Sequence, residues 1–176
     1  MHFEIEHVFD APIEAVEAAM FDPAYPAFLL EHHGVLSGVS PQSTEDDGTR
    51  VTRRIHFAPL PAFEHIAHKK VPAHWFEFVE ESVWDKRQRK LVFKHLPTED
   101  KVAERLDTRG EVLLESLPSG QTRRRTRAEI QIKNLPFMLK AFTSVAEQML
   151  SREAKRMFDS EARVLSQWLV QSRVSV

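Results

Sequence analysis

The longest regular pattern of apolar residues lies in the C-terminal part of the chain. From Leu135 to Val170 there is no Gly, and a single Pro, Pro136, stands near the start. Apolar residues recur there at intervals typical of an amphipathic helix. They are Met138, Phe142, Val145, Met149, Ala154, Met157, Phe158, Val164, Leu165, Trp168 and Leu169. We therefore predict one long helix that covers an apolar surface.

The N-terminal part predicts one strand followed by two short helices. Apolar and polar residues alternate over residues 2–9, as in a half-buried strand. Pro12 suits the first position of a helix, and Glu14 suits its positive end. This helix ends at Asp22-Pro23, because Pro disfavours helical geometry in the residue before it. A second helix begins there and stops at Gly34.

The middle of the chain is rich in short strand-like segments. Strands are predicted at 35–39, 49–57, 73–84, 90–96, 109–117 and 122–133. The polar segment 41–48 is predicted to be a turn, and 58–72, with three Pro and no period, a surface loop. Within 73–84 two faces compete for the inside, one with Phe76, Phe78 and Trp84, the other with Trp75, Val79 and Val83.

Short connections between these strands favour an antiparallel meander. Such a sheet has one apolar face to bury, and the long helix is the element large enough to cover it. We therefore expect an α+β fold with an antiparallel sheet of about seven strands. All 176 residues are expected to form a single domain.

Composition narrows the function classes. The net charge is −2, so no overall field attracts nucleic acid or anionic lipid. There is no Cys, which excludes disulfides and thiolate metal sites. No run of about 18 apolar residues predicts a membrane span, and the first residues lack the apolar core of a secretory signal. A cytoplasmic protein is expected.

Residues 9–16 have the sequence FDAPIEAV, and residues 21–25 have the sequence FDPAY. This opening, together with the order of elements, resembles the START-like (SRPBCC) superfamily, and looks most like bacterial branches whose activity is not known. The resemblance implies a helix-grip fold, in which a curved sheet wraps the last helix around a hydrophobic cavity. Members bind or transfer lipids, sterols, polyketides and hormones, and some are cyclases or oxygenase subunits.

We expect the cavity to bind or transport a hydrophobic small molecule that is lipid-like, sterol-like or polyketide-like, without a cofactor. The residues predicted to contact it are Arg53, Phe57, Phe76, Phe78, Thr126, Ala128, Phe142, Val145 and Met149. Thr126 and Ala128 are small, whereas the helix residues would form an adaptable apolar wall. Ordinary core packing is the alternative for each large apolar residue.

Two arginines interrupt the inward faces of predicted strands. Arg53 and Arg124 stand at positions that should be buried, where a charge is costly unless it is paired. One hypothesis is that Arg53 pairs with Glu80 inside the cavity and binds the polar end of the ligand. The alternative is a β-bulge that turns these arginines outward.

Other charged residues favour surface roles. Nine His include Glu31-His32-His33 and His65-x-x-His68 with His74 nearby, but neither set has a helical ligand pair, so no metal site is predicted. The alternating Arg123, Arg125 and Arg127 could meet acidic lipid or RNA. We favour pairing with Glu111 and Glu115 on the preceding strand, and expect no nucleic-acid partner.

Two other functions remain open. An enzyme of the cyclase or dehydratase kind would use a cavity histidine, His56 or His95, as general acid and base. An interaction module would have a filled core. No Gly-rich phosphate loop or serine nucleophile motif is present, so no catalytic residue is assigned, and a carrier is favoured over an enzyme. The expected partners are the small molecule and, transiently, a membrane. The loop 58–72 and the second helix are candidate gates of the cavity.

Overall fold

The structure is a computed structural model that describes residues 1–61, 65–66, 69–134 and 143–174. The strands are β1 His2–Phe9, β2 Leu36–Asp46, β3 Arg50–Pro59, β4 His65–Ile66, β5 Lys69–Lys70, β6 Phe78–Asp85, β7 Lys90–Pro97, β8 Leu106–Ser116 and β9 Thr122–Ile132. The helices are α1 Ile13–Met20, α2 Tyr25–His33, α3 Asp100–Ala103 and α4 Thr143–Val174, with a 3₁₀ helix at Ala73–Phe76.

Seven strands form one antiparallel sheet in the order β1-β9-β8-β7-β6-β3-β2. After β1, the helices α1 and α2 carry the chain to the far edge of the sheet. From β2 the chain returns strand by strand until β9 pairs with β1. Helix α4 packs against α1, α2, β1 and β9, so it closes one face of the sheet. The predicted α+β arrangement of a sheet around a long C-terminal helix is confirmed.

The two short helices begin and end where the sequence predicts. Pro12 has extended geometry and immediately precedes α1, so its missing N–H costs no helical hydrogen bond. Helix α1 buries Ile13, Val16, Ala19 and Met20. Helix α2 ends at Gly34, whose φ of 76° lies in the left-handed region that favours Gly.

Strand β2 is longer than predicted. The sequence predicts a turn over 41–48, yet β2 continues through Pro41 to Asp46. The reason is its place in the sheet: β2 is an edge strand, where a Pro can face away from the ladder. The pairing register of β2 with β3 shifts between Pro41 and Ser43, which allows the strand to continue past the proline. The turn is therefore limited to residues 47–49.

The region 73–84 differs from the predicted single strand. Its first four residues form the 3₁₀ helix, and β6 begins at Phe78. The competition between its faces is resolved, because Trp84 is fully buried whereas Val83 is 38% exposed. A buried indole needs a partner for its N–H. Trp84 Nε1 donates to Glu17 Oε1 at 2.8 Å, and α1 offers that carboxylate on the inner side.

The segment 58–72 is not wholly irregular, because β4 and β5 pair as a small two-stranded sheet. Residues 62–64 and 67–68 lie outside the described ranges. The described part of the long helix starts at Thr143, and the predicted helical residues 135–142 also lie outside those ranges. Across the described ranges, none of the helices has the length and apolar character needed to span a membrane.

The outer face of β9 carries the predicted arginine ladder. Arg123 Nε lies 3.0 Å from Glu115 Oε2, and Arg127 Nη1 lies 3.6 Å from Glu111 Oε1. The expected pairing with the preceding strand is therefore confirmed. Strand β1 adds a further acid, because Arg127 Nε lies 2.7 Å from Glu4 Oε2. Exposed pairs of this kind contribute about 0.2–1 kcal/mol each.

Candidate functional site

A cavity of about 510 Å³ lies between the inner face of the sheet and helix α4. Its walls are largely apolar and aromatic. Large side chains that line it include Phe57, Phe78, Phe93, Ile130, Met157 and Phe158. A space of this size falls within the roughly 300–1,000 Å³ range of small-molecule pockets.

Six of the predicted contact residues line the cavity. They are Arg53, Phe57, Phe76, Phe78, Thr126 and Ala128. Phe142 lies outside the described residues, and the same is true of the side chain of Val145. The structure therefore brings together the predicted residues of β3, β6 and β9 and of the 3₁₀ helix.

Met149 is the one predicted helix residue with a described side chain, and it lies off the cavity wall. Its side chain is 48% exposed. Among the described side chains of α4, the lining residues are Leu150, Glu153, Ala154, Arg156, Met157, Phe158 and Glu161. Met149 precedes Leu150 by one residue, and one residue rotates a helix by about 100°. The choice between these neighbouring apolar residues depends on how α4 docks on the sheet.

Arg53 points into the cavity from β3. The pairing of β3 with β6 is continuous, with Arg53 opposite Ser82, so the β-bulge alternative is wrong. Its Nη1 donates to the carbonyl oxygen of Met20 at 2.8 Å, and its guanidinium lies 4.4 Å from the centre of the Phe21 ring. Burial lowers the pKa of Arg53, and the negative charge of Glu80 opposes that effect. The group stays a cation at neutral pH.

Glu80 pairs with His95 rather than directly with Arg53. Glu80 and His95 are directly opposed on β6 and β7, and His95 Nε2 donates to Glu80 Oε2 at 3.3 Å. Arg53 is opposite Ser82, so it is only a diagonal neighbour of Glu80. Burial raises the pKa of Glu80, but the His95 hydrogen bond and the charges of His95 and Arg53 outweigh it and lower the net pKa.

The two candidate histidines take different positions. His95 lines the cavity, with its ring 4.2 Å from that of Phe78 and 5.0 Å from that of Phe93 between centres. His56 is not among the lining residues, and its Nε2 lies 3.2 Å from Glu77 Oε2. Only His95 of this pair therefore has access to a bound molecule.

Arg124 is the centre of a second polar group in the cavity. It is 3% exposed, and its Nη1 lies 2.5 Å from Glu161 Oε2 on α4. Tyr25 donates its hydroxyl hydrogen to Glu161 Oε1 at 3.1 Å. Burial and the negative charge of Glu161 raise the pKa of Tyr25, so the phenol stays protonated. The Arg124 guanidinium also lies 5.2 Å from the centre of the Phe9 ring.

Sequence reasoning identified Arg124 but missed Glu161 and Tyr25. The available signal was an interruption in the apolar stripe of α4, since Glu161 stands four residues after Met157 and four before Leu165. Tyr25 is the single tyrosine of the chain. Neither signal is strong alone, because a lone acid on a helix usually faces solvent.

Several buried donors in the cavity wall have no hydrogen-bond partner within the described part of the chain. They are Arg53 Nε, Arg124 Nε, Arg124 Nη2 and the hydroxyl of Thr126. All three residues line the cavity. A buried polar group without a partner costs about 1–3 kcal/mol. An acceptor atom inside the cavity would recover this free energy.

The remaining histidines form no metal centre in the described ranges, where no group of three or more His, Asp or Glu side chains could hold an ion. His32 stacks on Phe28, with ring centres 3.9 Å apart. His33 is 2% exposed and donates from Nε2 to the carbonyl oxygen of Met157 at 3.2 Å. His68 and the side chain of His65 lie outside the described residues.

The sequence matches a family model described as a protein of unknown function, DUF2505, over residues 4–169. The chain belongs to the DUF2505 family. Among curated proteins, none matches the sequence.

Solved structures share the fold of this DUF2505 chain. The Zhui aromatase/cyclase from Streptomyces sp. R1128 is 14% identical with a TM-score of 0.66, over 97% of this chain and 94% of its own. A norcoclaurine synthase point mutant from Thalictrum flavum, in complex with a transition-state analogue, is 11% identical with a TM-score of 0.68, over 98% and 96%. The protein TTHA0849 from Thermus thermophilus is 14% identical with a TM-score of 0.63, over 94% and 97%. At these identities the likeness shows the fold, and the predicted helix-grip fold is confirmed.

Proposed function

We propose that this DUF2505 protein binds an apolar small molecule that carries at least one oxygen acceptor, in the cavity between the sheet and α4. The observation that carries the proposal is the combination of an apolar cavity of about 510 Å³ with buried, unpartnered donors in its wall. An apolar lining with a few convergent polar groups is typical of small-molecule sites.

The polar groups lie close enough together to serve one ligand. Arg124 and Thr126 are two residues apart on β9, so both face the cavity. The Tyr25 hydroxyl and Arg124 Nη1 contact the same Glu161 carboxylate, so Tyr25 lies beside Arg124. A ligand oxygen between these side chains would accept hydrogen bonds from β9, and its apolar part would contact the aromatic residues of β3, β6 and β7.

The structural neighbours support a small-molecule ligand. Norcoclaurine synthase has been solved in complex with dopamine and hydroxybenzaldehyde, which are small aromatic molecules. The predicted lipid-like, sterol-like or polyketide-like ligands fit the same apolar requirement. An interaction module would need a filled core, and a cavity of about 510 Å³ argues against it. The expected transient contact with a membrane stays a prediction.

A second function, acid–base catalysis on the bound molecule, is favoured by one observation. His95 faces the cavity beside the Glu80 carboxylate, which accepts a hydrogen bond from Nε2–H and thereby orients the ring. Such a histidine can exchange a proton with a substrate through Nδ1. Tyr25 also lines the cavity, but its hydroxyl hydrogen is donated to Glu161 and its pKa is raised, so His95 is the candidate proton-transfer group. This arrangement fits the cyclase or dehydratase alternative.

Native mass spectrometry of the protein purified from cells tests the binding proposal. We expect an additional mass of a few hundred daltons that is lost on collisional activation, and organic extraction should release the same molecule. A protein with only its own mass, which also fails to bind any added apolar probe, would refute the proposal.

A further inference from the structure

The charges in the cavity wall define the kind of polar group that the ligand carries. Two cations, Arg53 and Arg124, and two carboxylates, Glu80 and Glu161, line the inner cavity. Arg124 contacts Glu161 directly, and Glu80 influences Arg53 across the sheet. The charges of these four side chains sum to zero before any ligand enters.

We infer that the polar end of the bound molecule is uncharged and accepts hydrogen bonds, as a ketone, ester or hydroxyl group does, and is not a carboxylate or a phosphate. This inference rests on the proposed binding function. A neutral oxygen can accept from Arg124 Nε and Nη2 while Nη1 keeps its bond to Glu161. The donors are satisfied and the charge balance of the cavity is unchanged.

An anionic head group would disturb this balance. A carboxylate at Arg124 would lie close to Glu161, and the cavity would hold three negative charges against two positive ones. Either the two carboxylates repel each other, or Glu161 loses its partner inside the protein. Removing the partner of a charge that is largely out of water is strongly unfavourable. The unpartnered Nε and Nη2 of Arg124 therefore favour an uncharged oxygen acceptor.

Cations at the rim do not change this conclusion. Lys101, Arg105 and Arg156 also line the cavity, but all three are exposed, so water and salt screen them. The two further lining carboxylates have partners of their own, because Glu153 pairs with Arg156 at 2.9 Å and Glu77 lies 3.2 Å from His56. A fatty acid whose head stayed at the rim would place its hydrocarbon tail against the inner arginines. The unpartnered donors would then remain without acceptors.

The test compares two ligands with the same nine-carbon tail, 2-undecanone and decanoic acid, at about pH 8, where the carboxylic acid is ionised. Displacement of the uncharged dye Nile red reports binding of each. We expect the wild-type protein to bind the ketone at least about tenfold more tightly than the acid, a difference of about 1.4 kcal/mol. Equal or tighter binding of the acid would overturn the inference.

A charge-removal variant sharpens the comparison. Glu161→Gln leaves one arginine without a counter-charge, so we expect the ketone-to-acid preference to fall at least about tenfold. Glu147→Gln is the matched control on the same helix, at a position that does not line the cavity, and its preference should equal that of the wild type. An unchanged preference in Glu161→Gln would contradict the inference.

The outcomes separate the two claims. If Nile red, 2-undecanone and decanoic acid all fail to bind, the proposed binding function is wrong, and so is the inference that rests on it. If Nile red binds but neither 2-undecanone nor decanoic acid displaces it, the inference alone is wrong. Should Glu161→Gln fail to fold, the wild-type preference between ketone and acid decides the matter.

Discussion

Arg124 on β9 and Glu161 on α4 form an ion pair at the cavity wall, with Nη1 and Oε2 2.5 Å apart, in which Arg124 is buried and Glu161 is 24% exposed. The pair joins the strand beside β1 to the long helix, and the Tyr25 hydroxyl bonds to the same carboxylate. One contact therefore ties sheet, α2 and α4 together at the wall of the candidate site. Its loss should affect both the stability of the fold and the shape of the cavity.

Breaking this pair from one side should be strongly destabilising. Arg124→Ala leaves Glu161 without its cation, and we expect the free energy of unfolding in urea to fall by about 3–5 kcal/mol. Arg124→Met combined with Glu161→Met removes both charges and should be less destabilising than Arg124→Ala. The control is Arg127→Ala, whose pair with Glu4 is about half exposed, with an expected loss below about 1 kcal/mol. Similar losses for Arg124→Ala and Arg127→Ala would contradict this account.

His33 should make stability depend on pH. Burial lowers the pKa of His33 in the folded protein, and the bond to Met157 only partly opposes this. As pH falls below about 6.5, the unfolded chain takes up a proton that the folded chain resists, so stability present above that pH is lost.

The variant His33→Gln isolates this effect, because a glutamine amide can donate to the Met157 carbonyl but does not titrate. We expect the fall in urea midpoint between about pH 7.5 and pH 5.5 to be smaller in His33→Gln than in the wild type. An equal fall in urea midpoint in the two proteins would show that His33 does not contribute to the pH dependence of stability.

The proposed acid–base function predicts proton exchange on a bound ketone. In heavy water, His95 should remove a proton from the carbon beside the carbonyl group of 2-undecanone and return a deuteron. Mass spectrometry of the recovered ketone measures the label. We expect exchange above the solution rate with the wild type and at least about a tenfold reduction with His95→Gln. The control is His56→Gln, which should keep the wild-type rate, since His56 does not line the cavity. No exchange above the solution rate would refute the catalytic proposal.

Local patterns predicted most of the fold because they report local physics. Alternation in β9 separated the paired arginines from the buried Thr126 and Ala128, and Pro12 and Gly34 bounded the short helices. The extension of β2 through Pro41 was not predicted. Whether a strand lies at an edge depends on the whole sheet, and an edge is what makes that proline acceptable.

The candidate site was predicted less completely for the same reason. Arg53 and Arg124 were visible as charges on inward faces of strands. Glu161 was not, because a single acid in a helix gains meaning only when the rotation of that helix is known. The rotation also decides between Met149 and Leu150, and it is set by contacts with distant elements such as α2 and β1.

The central claim is that the space between the sheet and α4 binds an apolar molecule. Titration with Nile red, comparing the wild type with Ala154→Phe and Arg152→Phe, tests it most directly. Ala154 lines the cavity, whereas Arg152 is an exposed residue of the same helix that does not. We predict saturable binding by the wild type and by Arg152→Phe, and at least about tenfold weaker binding by a folded Ala154→Phe. Equal binding by all three proteins would place the dye elsewhere and contradict the claim.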